Sequence, residues 1–129
     1  MKSFLSPLLR SASSPHALTN TRTNQIVADT LLTAFDSKSR KKGLLGRDSL
    51  PEGSALIIAP CQAIHTFSMR FAIDVAFVAK DGRVLKVRQA VPARRIAVSL
   101  QAFAVVELPA GAIERSGTQA GDRLQVCAP

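Results

Sequence analysis

The segment His65–Val78 constrains this chain more than any other. On one parity it carries His65, Phe67, Met69, Phe71, Ile73, Val75 and Phe77, and on the other Thr66, Ser68, Arg70, Ala72, Asp74 and Ala76. A period of two is the signature of a strand with one face turned to a core. A strand usually runs about five or six residues, so this longer segment predicts a bend or bulge near Phe71–Ala72. Asp81-Gly82 then reads as a hairpin turn into a second strand over Arg83–Val91, which Pro92 ends. Further strands are expected over Ile26–Thr33, Ser54–Ala59, Ala102–Leu108 and Arg123–Cys127. Asp36 or Ser37 would cap a short helix over Lys38–Leu45 with Gly46 just past its end, and Pro109 would open a brief helix through Arg115, stopped by Gly117. The expected fold class is mainly β: a small curled antiparallel sheet or barrel of about six strands with two short helices. A parallel α/β sheet is not expected, because no helical segment looks long enough for its crossovers. The core is drawn from Leu56, Ile58, Phe67, Met69, Ile73, Val75, Phe77, Leu85, Val87, Val105 and Leu124.

The chain's 129 residues, 47% of them apolar, suffice for one domain with a core of its own. No unbroken apolar run approaches the roughly 18–20 residues of a transmembrane helix. Residues 1–25 read as a poorly ordered leader: serines together with Pro7 and Pro15 interrupt every apolar run, and the Phe4–Leu9 patch is too short for a secretory signal. A misassigned start or an organelle transit segment would look the same. The domain is therefore placed at residues 26–129. Cys61 and Cys127 are too few for a disulfide framework and fit a reducing, cytoplasmic setting.

The net charge is +8, with the basic excess in residues 1–42 and 80–129. Readers of single-stranded nucleic acid interleave aromatic rings with their cations, whereas this chain has six Phe, no Trp and no Tyr. The same lack argues against a carbohydrate-stacking site, and most of the charge reads as a solvated surface. Arg40-Lys41-Lys42 is assigned to the exposed face of the first helix, anchored by Leu44 and Leu45. Lys86, Arg88, Arg94 and Arg95 form a second basic patch suited to weak contact with an anionic partner. There is no phosphate-cradling glycine loop, no CxxC pair and no HExxH.

Five residues are candidates for a site: Arg47, Cys61, His65, Arg70 and Asp74. Cys61, His65 and Asp74 are the parts of a cysteine hydrolase, although no glycine-rich elbow stands beside the cysteine. Cys61, His65 and Met69 would instead suit a soft metal such as Cu(I); Met69 shares parity with Phe67 and Phe71 and reads first as core. No cofactor is indicated. Arg70 and Asp74 stand about 13 Å apart along an extended strand, so each should find another partner: Arg47, a helix N-terminus or backbone N–H groups. Asp74 is expected to act as a structural anchor that accepts two or three backbone hydrogen bonds beside the bend.

The order of short motifs resembles a known family. Gly43-Leu44-Leu45-Gly46-Arg47 with Leu50-Pro51, His65-Thr66-Phe67-Ser68-Met69-Arg70, Ile73-Asp74-Val75-Ala76-Phe77, Asp81-Gly82-Arg83-Val84, Glu107-Leu108-Pro109-Ala110-Gly111 and Gly121-Asp122-Arg123 are similar, in that order, to the bacterial and archaeal "domain of unknown function 192". Ser68 stands where the commoner form has Trp, and Ala72 where a proline is often found. The resemblance implies a small β-rich domain and no established reaction, substrate or cofactor. The expected function is that of a non-enzymatic binding or accessory protein, with a hydrolase or soft-metal protein centred on Cys61–Asp74 as the alternative.

Overall fold

The Asp81-Gly82 turn is formed: Gly82 N–H donates to the Ala79 carbonyl at 2.9 Å, and Arg83 N–H donates to the Asp81 carboxylate at 3.0 Å. It joins β6 (Ile73–Val78) to β7 (Val84–Val91) in a computed structural model that describes residues 3–10, 15–67 and 69–128. Before this hairpin come α1 (Ser6–Arg10), β1 (Ala17–Asn20), β2 (Gln25–Ala28), β3 (Thr30–Ala34), α2 (Ser37–Lys42), β4 (Ser54–Ile58) and β5 (Ala63–His65). After it come β8 (Ile96–Val98), β9 (Ala104–Pro109), α3 (Ala112–Ser116) and β10 (Leu124–Cys127).

The strands form a five-stranded sheet in the order β3-β4-β9-β6-β7, a three-stranded sheet β10-β1-β2, and the two-stranded ribbon β5–β8. Successive residues of a strand point to opposite faces, and the large sheet uses both faces. Ile57, Ala76, Val78, Val106 and Leu108 pack on one side with Leu18, Val27, Leu124 and Val126 of the small sheet and with Ile113 of α3. Leu56, Ile58, Val75, Phe77 and Val105 pack on the other side with Leu44, Leu50 and Ala97, and Ile64 and Met69 lie against them. The central strands β6 and β9 are buried along their whole length. Among the described residues no helix is long and apolar enough to cross a membrane.

The mainly β class holds, with several corrections. The described residues contain ten strands and three short helices rather than about six and two, and the sheets do not close into a barrel. The long alternating segment is two strands, β5 and β6, joined by residues 66–72, so the expected bend is a whole loop. Phe67, placed in the core by parity, is 45% exposed there, and Ser68 lies outside the described residues. The parity of Asp74 and Ala76 does not face solvent either, because a central strand has no solvent face. β3 and β4 pair in parallel, the one parallel pair of a sheet whose other pairs are antiparallel, and residues 35–53 with a six-residue helix provide the crossover. That helix is capped by the Asp36 side chain, which accepts from Ser39 N–H at 2.8 Å, and it ends at Gly43 rather than Gly46.

Leu5, Leu8 and residues 17–25, placed in the leader by the sequence, belong to the fold. β1 lies between β2 and β10 in register Leu18↔Val126, and Leu5 and Leu8 are buried in the same cluster as Leu18. Four-residue strands and single leucine anchors are too short to show a period among the surrounding serines and prolines. Asn20 and Arg22 hold the corner: Arg22 Nε donates to the buried Asp122 carboxylate at 2.5 Å, and Asn20 Nδ2 donates to it at 2.9 Å.

Candidate functional site

β9 is an apolar run interrupted once, by Glu107. Its register neighbours are Leu56 on β4 and Val75 on β6, so the carboxyl starts from the middle of the five-stranded sheet. Glu107 is only 5% exposed. A buried polar group normally finds a hydrogen-bond partner, yet among the described residues the Glu107 side chain has none. Burial pushes its pKa up to about 7, since desolvation disfavours the charged form.

The carboxyl faces a cavity of about 340 Å³. Leu44, Ile58, Ile64 and Met69 give it apolar walls, Cys61 and His65 stand on one side, and Arg40, Lys41 and Lys42 of α2 carry positive charge to the other. Gly43 ends α2 at a positive φ of 49°. A side chain added there would sit 3.7 Å from Glu107 Oε1, which places the carboxyl against the turn. Leu44, fully buried, pins that turn to the core.

Only two of the five sequence candidates line this cavity. Cys61 is half-buried and its Sγ donates to the Ala63 carbonyl at 3.1 Å. Burial pushes the thiol up, the nearby Glu107 charge adds to this, and Arg40 opposes it. Cys61 is thus held as a thiol rather than as an activated thiolate. His65 is exposed, its ring lying against that of Phe67 with centroids 5.6 Å apart. Met69 joins them as a half-buried wall.

The other three lie elsewhere. Arg47 is exposed on the loop after α2, beside a separate shallow cavity with Leu32, Leu45 and Leu56. Arg70 pairs with Asp48 at 2.6 Å, both side chains well exposed, an arrangement worth about 0–1 kcal/mol. Asp74 has no exposed surface; its carboxylate accepts from the backbone N–H groups of Ala90 at 2.8 Å, Gly111 at 3.0 Å and Ile113 at 2.9 Å. It ties the end of β7 to the start of α3, which is the anchoring role its sequence position suggested. All of its bonds are made on the face of β6 that carries Ala76 and Val78, away from Cys61 and His65. The cysteine-hydrolase triad is therefore not assembled. No group of three or more His, Cys, Asp or Glu side chains among the described residues is arranged to hold a metal ion.

Glu107 was missed as a site residue. Its signal was a lone acid within Ala104-Val105-Val106-Glu107-Leu108, at a position where every neighbour is destined for the interior.

A mainly β single domain with a recessed acid beneath a basic rim is the class of protein that these observations define. The chain belongs to the DUF192 family, described as "Uncharacterized ACR", whose profile matches residues 18–126. That match takes in Leu18–Asn20 of β1, in keeping with the strand's place in the fold. The fold is similar to that of a protein of unknown function from Novosphingobium aromaticivorans, with TM-score 0.74 and 22% identity over 86% of this chain and 83% of that one. It is likewise similar to a "putative transcription regulator" from Sinorhizobium meliloti, with TM-score 0.75 and 22% identity over 88% of this chain and 95% of that one. No curated protein matches the chain. The family is one of unknown function, and likenesses at this identity establish the fold alone.

Proposed function

We propose that this is a non-enzymatic binding protein whose ligand is a small molecule seated in the Glu107 cavity. The observation that carries the reading is a carboxyl that is 5% exposed, turns to the cavity and makes no hydrogen bond to another described residue. A ligand group that donates a hydrogen bond would find a free acceptor there, in surroundings of low polarity that strengthen the bond. The apolar walls favour an aliphatic body, and a volume of about 340 Å³ suits a small metabolite rather than a polymer. An alkylammonium or amide group is the natural partner for Glu107. The un-ionised, hydrogen-bonded state of Cys61 supports binding over nucleophilic chemistry. The free thiols of Cys61 and Cys127 support a cytoplasmic setting.

The test is an NMR titration with isoamylamine at about pH 8, where Glu107 is mostly ionised. Saturable shifts of the Gly43, Leu44 and Ile64 amides are expected, and Glu107→Gln should abolish them. Shifts that persist in that variant, or none up to the solubility limit of the amine, would sink the reading.

A further inference from the structure

The ribbon β5–β8 has one face turned to the core and one turned outward. Ile64 and Ala97, opposite each other in the register, pack inward on the large sheet. Their neighbours pair as Ala63↔Val98 and His65↔Ile96, and directly opposed residues share a face. That outward face therefore carries Ile96, which is 62% exposed, and Val98, with Phe67 lying against His65 at one end. Leu100, 76% exposed, extends it in the turn after β8. Exposed apolar side chains are ordinary singly; grouped on one small ribbon they mark a contact surface.

The same ribbon is bordered by cations. Arg94 and Arg95 lead directly into β8, and the Lys86 ammonium donates to the Val98 carbonyl at 3.0 Å. Arg88 follows two residues along β7, on the same face of that strand as Lys86. Among the described residues, none of these four cations forms an ion pair with a carboxylate, whereas Arg22, Arg70, Arg115 and Arg123 all do.

We infer that this ribbon is a docking surface for an anionic lipid bilayer. Aliphatic side chains flanked by unpaired Lys and Arg fit the interface between headgroups and acyl chains: the apolar tips enter and the cations meet the phosphates. A nucleic acid would use the cations but would gain nothing from Ile96 and Leu100, which offer no ring for base stacking. The surface borders the Glu107 cavity at Ala63 and His65, but the proposal does not use Glu107 and stands or falls separately from the cavity reading.

The experiment is co-sedimentation of the full chain with vesicles of phosphatidylcholine, with and without phosphatidylglycerol. Binding is expected to the anionic vesicles only, and to weaken as salt screens the charges. Ile96→Ser/Leu100→Ser should reduce it about tenfold or more, the loss expected from removing two inserting side chains, with an unchanged melting temperature because both are exposed. Arg94→Gln/Arg95→Gln should reduce it more than Lys38→Gln/Arg83→Gln, a pair of exposed cations outside the ribbon. Equal binding to both vesicle types, undiminished binding by the Ile96/Leu100 variant, or equal losses in the two charge variants would overturn the proposal. So would a dimer that Ile96→Ser/Leu100→Ser dissolves in the absence of vesicle binding, which would give the surface to a second copy of the chain.

Discussion

Glu107→Gln tests whether the acid in β9 is as buried as its surroundings imply. In the unfolded chain its carboxyl ionises near 4.5, and in the folded protein burial pushes this to about 7. Between those values the folded state holds a proton that the unfolded state has released. Stability contributed by the protonated acid is therefore fully present below about pH 4.5 and is lost as pH rises through about 7. At about 1.4 kcal/mol per pH unit, the whole loss is on the order of 3 kcal/mol. Glutamine has nearly the same shape and no charge to desolvate. The variant should match the parent within about 1 kcal/mol at low pH and exceed it by about 2–3 kcal/mol above pH 8. Urea denaturation at a series of pH values measures this directly, because the difference between the two proteins cancels every other titrating group. Parallel pH–stability curves would refute the reasoning and would mean that Glu107 reaches solvent or a partner when ionised.

Asp74→Ala should cost about 3 kcal/mol or more in urea denaturation, since it strands the N–H groups of Ala90, Gly111 and Ile113; a loss below about 1 kcal/mol would contradict the anchor. The Asp122 carboxyl is held down at about 2, chiefly by Arg22, against an ordinary value of 3.8. Its contribution is present above about pH 3.8 and fades as pH falls towards about 2. Allowing for the half-exposed Arg22, Asp122→Asn should remove about 1–2 kcal/mol at neutral pH and little in strong acid; a loss of the same size at both would assign it to packing. Deleting residues 1–25 removes β1 from the middle of its sheet and should abolish cooperative thermal unfolding followed by circular dichroism; a midpoint within a few degrees of the parent would show the segment to be dispensable.

What was legible in the sequence is what local pattern encodes. The Asp81-Gly82 turn, the strands around it and the breaks at Pro92 and Gly117 depend on neighbours, and they are found where expected. Asp74 was readable as an anchor because a lone acid between Ile73 and Val75 needs donors. Phe67 misled because alternation is a property of residue type: nothing local shows that the chain leaves the sheet at Thr66, whose hydroxyl binds the Pro92 carbonyl at 2.6 Å. Which face a strand buries, and whether it buries both, depends on how many strands flank it. That is why Glu107 looked ordinary and β6 looked half-exposed. The site itself joins α2, β4, β5 and β9 across long stretches of sequence, and no spacing rule reaches that far.

The cavity is built from parts of very unequal permanence. Its floor belongs to a strand hydrogen-bonded on both sides, so exposing the Glu107 backbone to exchange requires something close to global unfolding. Its basic rim belongs to a six-residue helix with no buried residue, held by the Asp36 cap and by Leu44 beyond its end. Such a turn can open and reclose many times within the lifetime of the fold. Deuterium uptake should accordingly be fast across residues 37–43 and slow at 105–107. On the binding reading proposed above, the side of the cavity that a ligand would pass is thus the weakly held one, while the carboxyl it would meet belongs to a strand held on both sides.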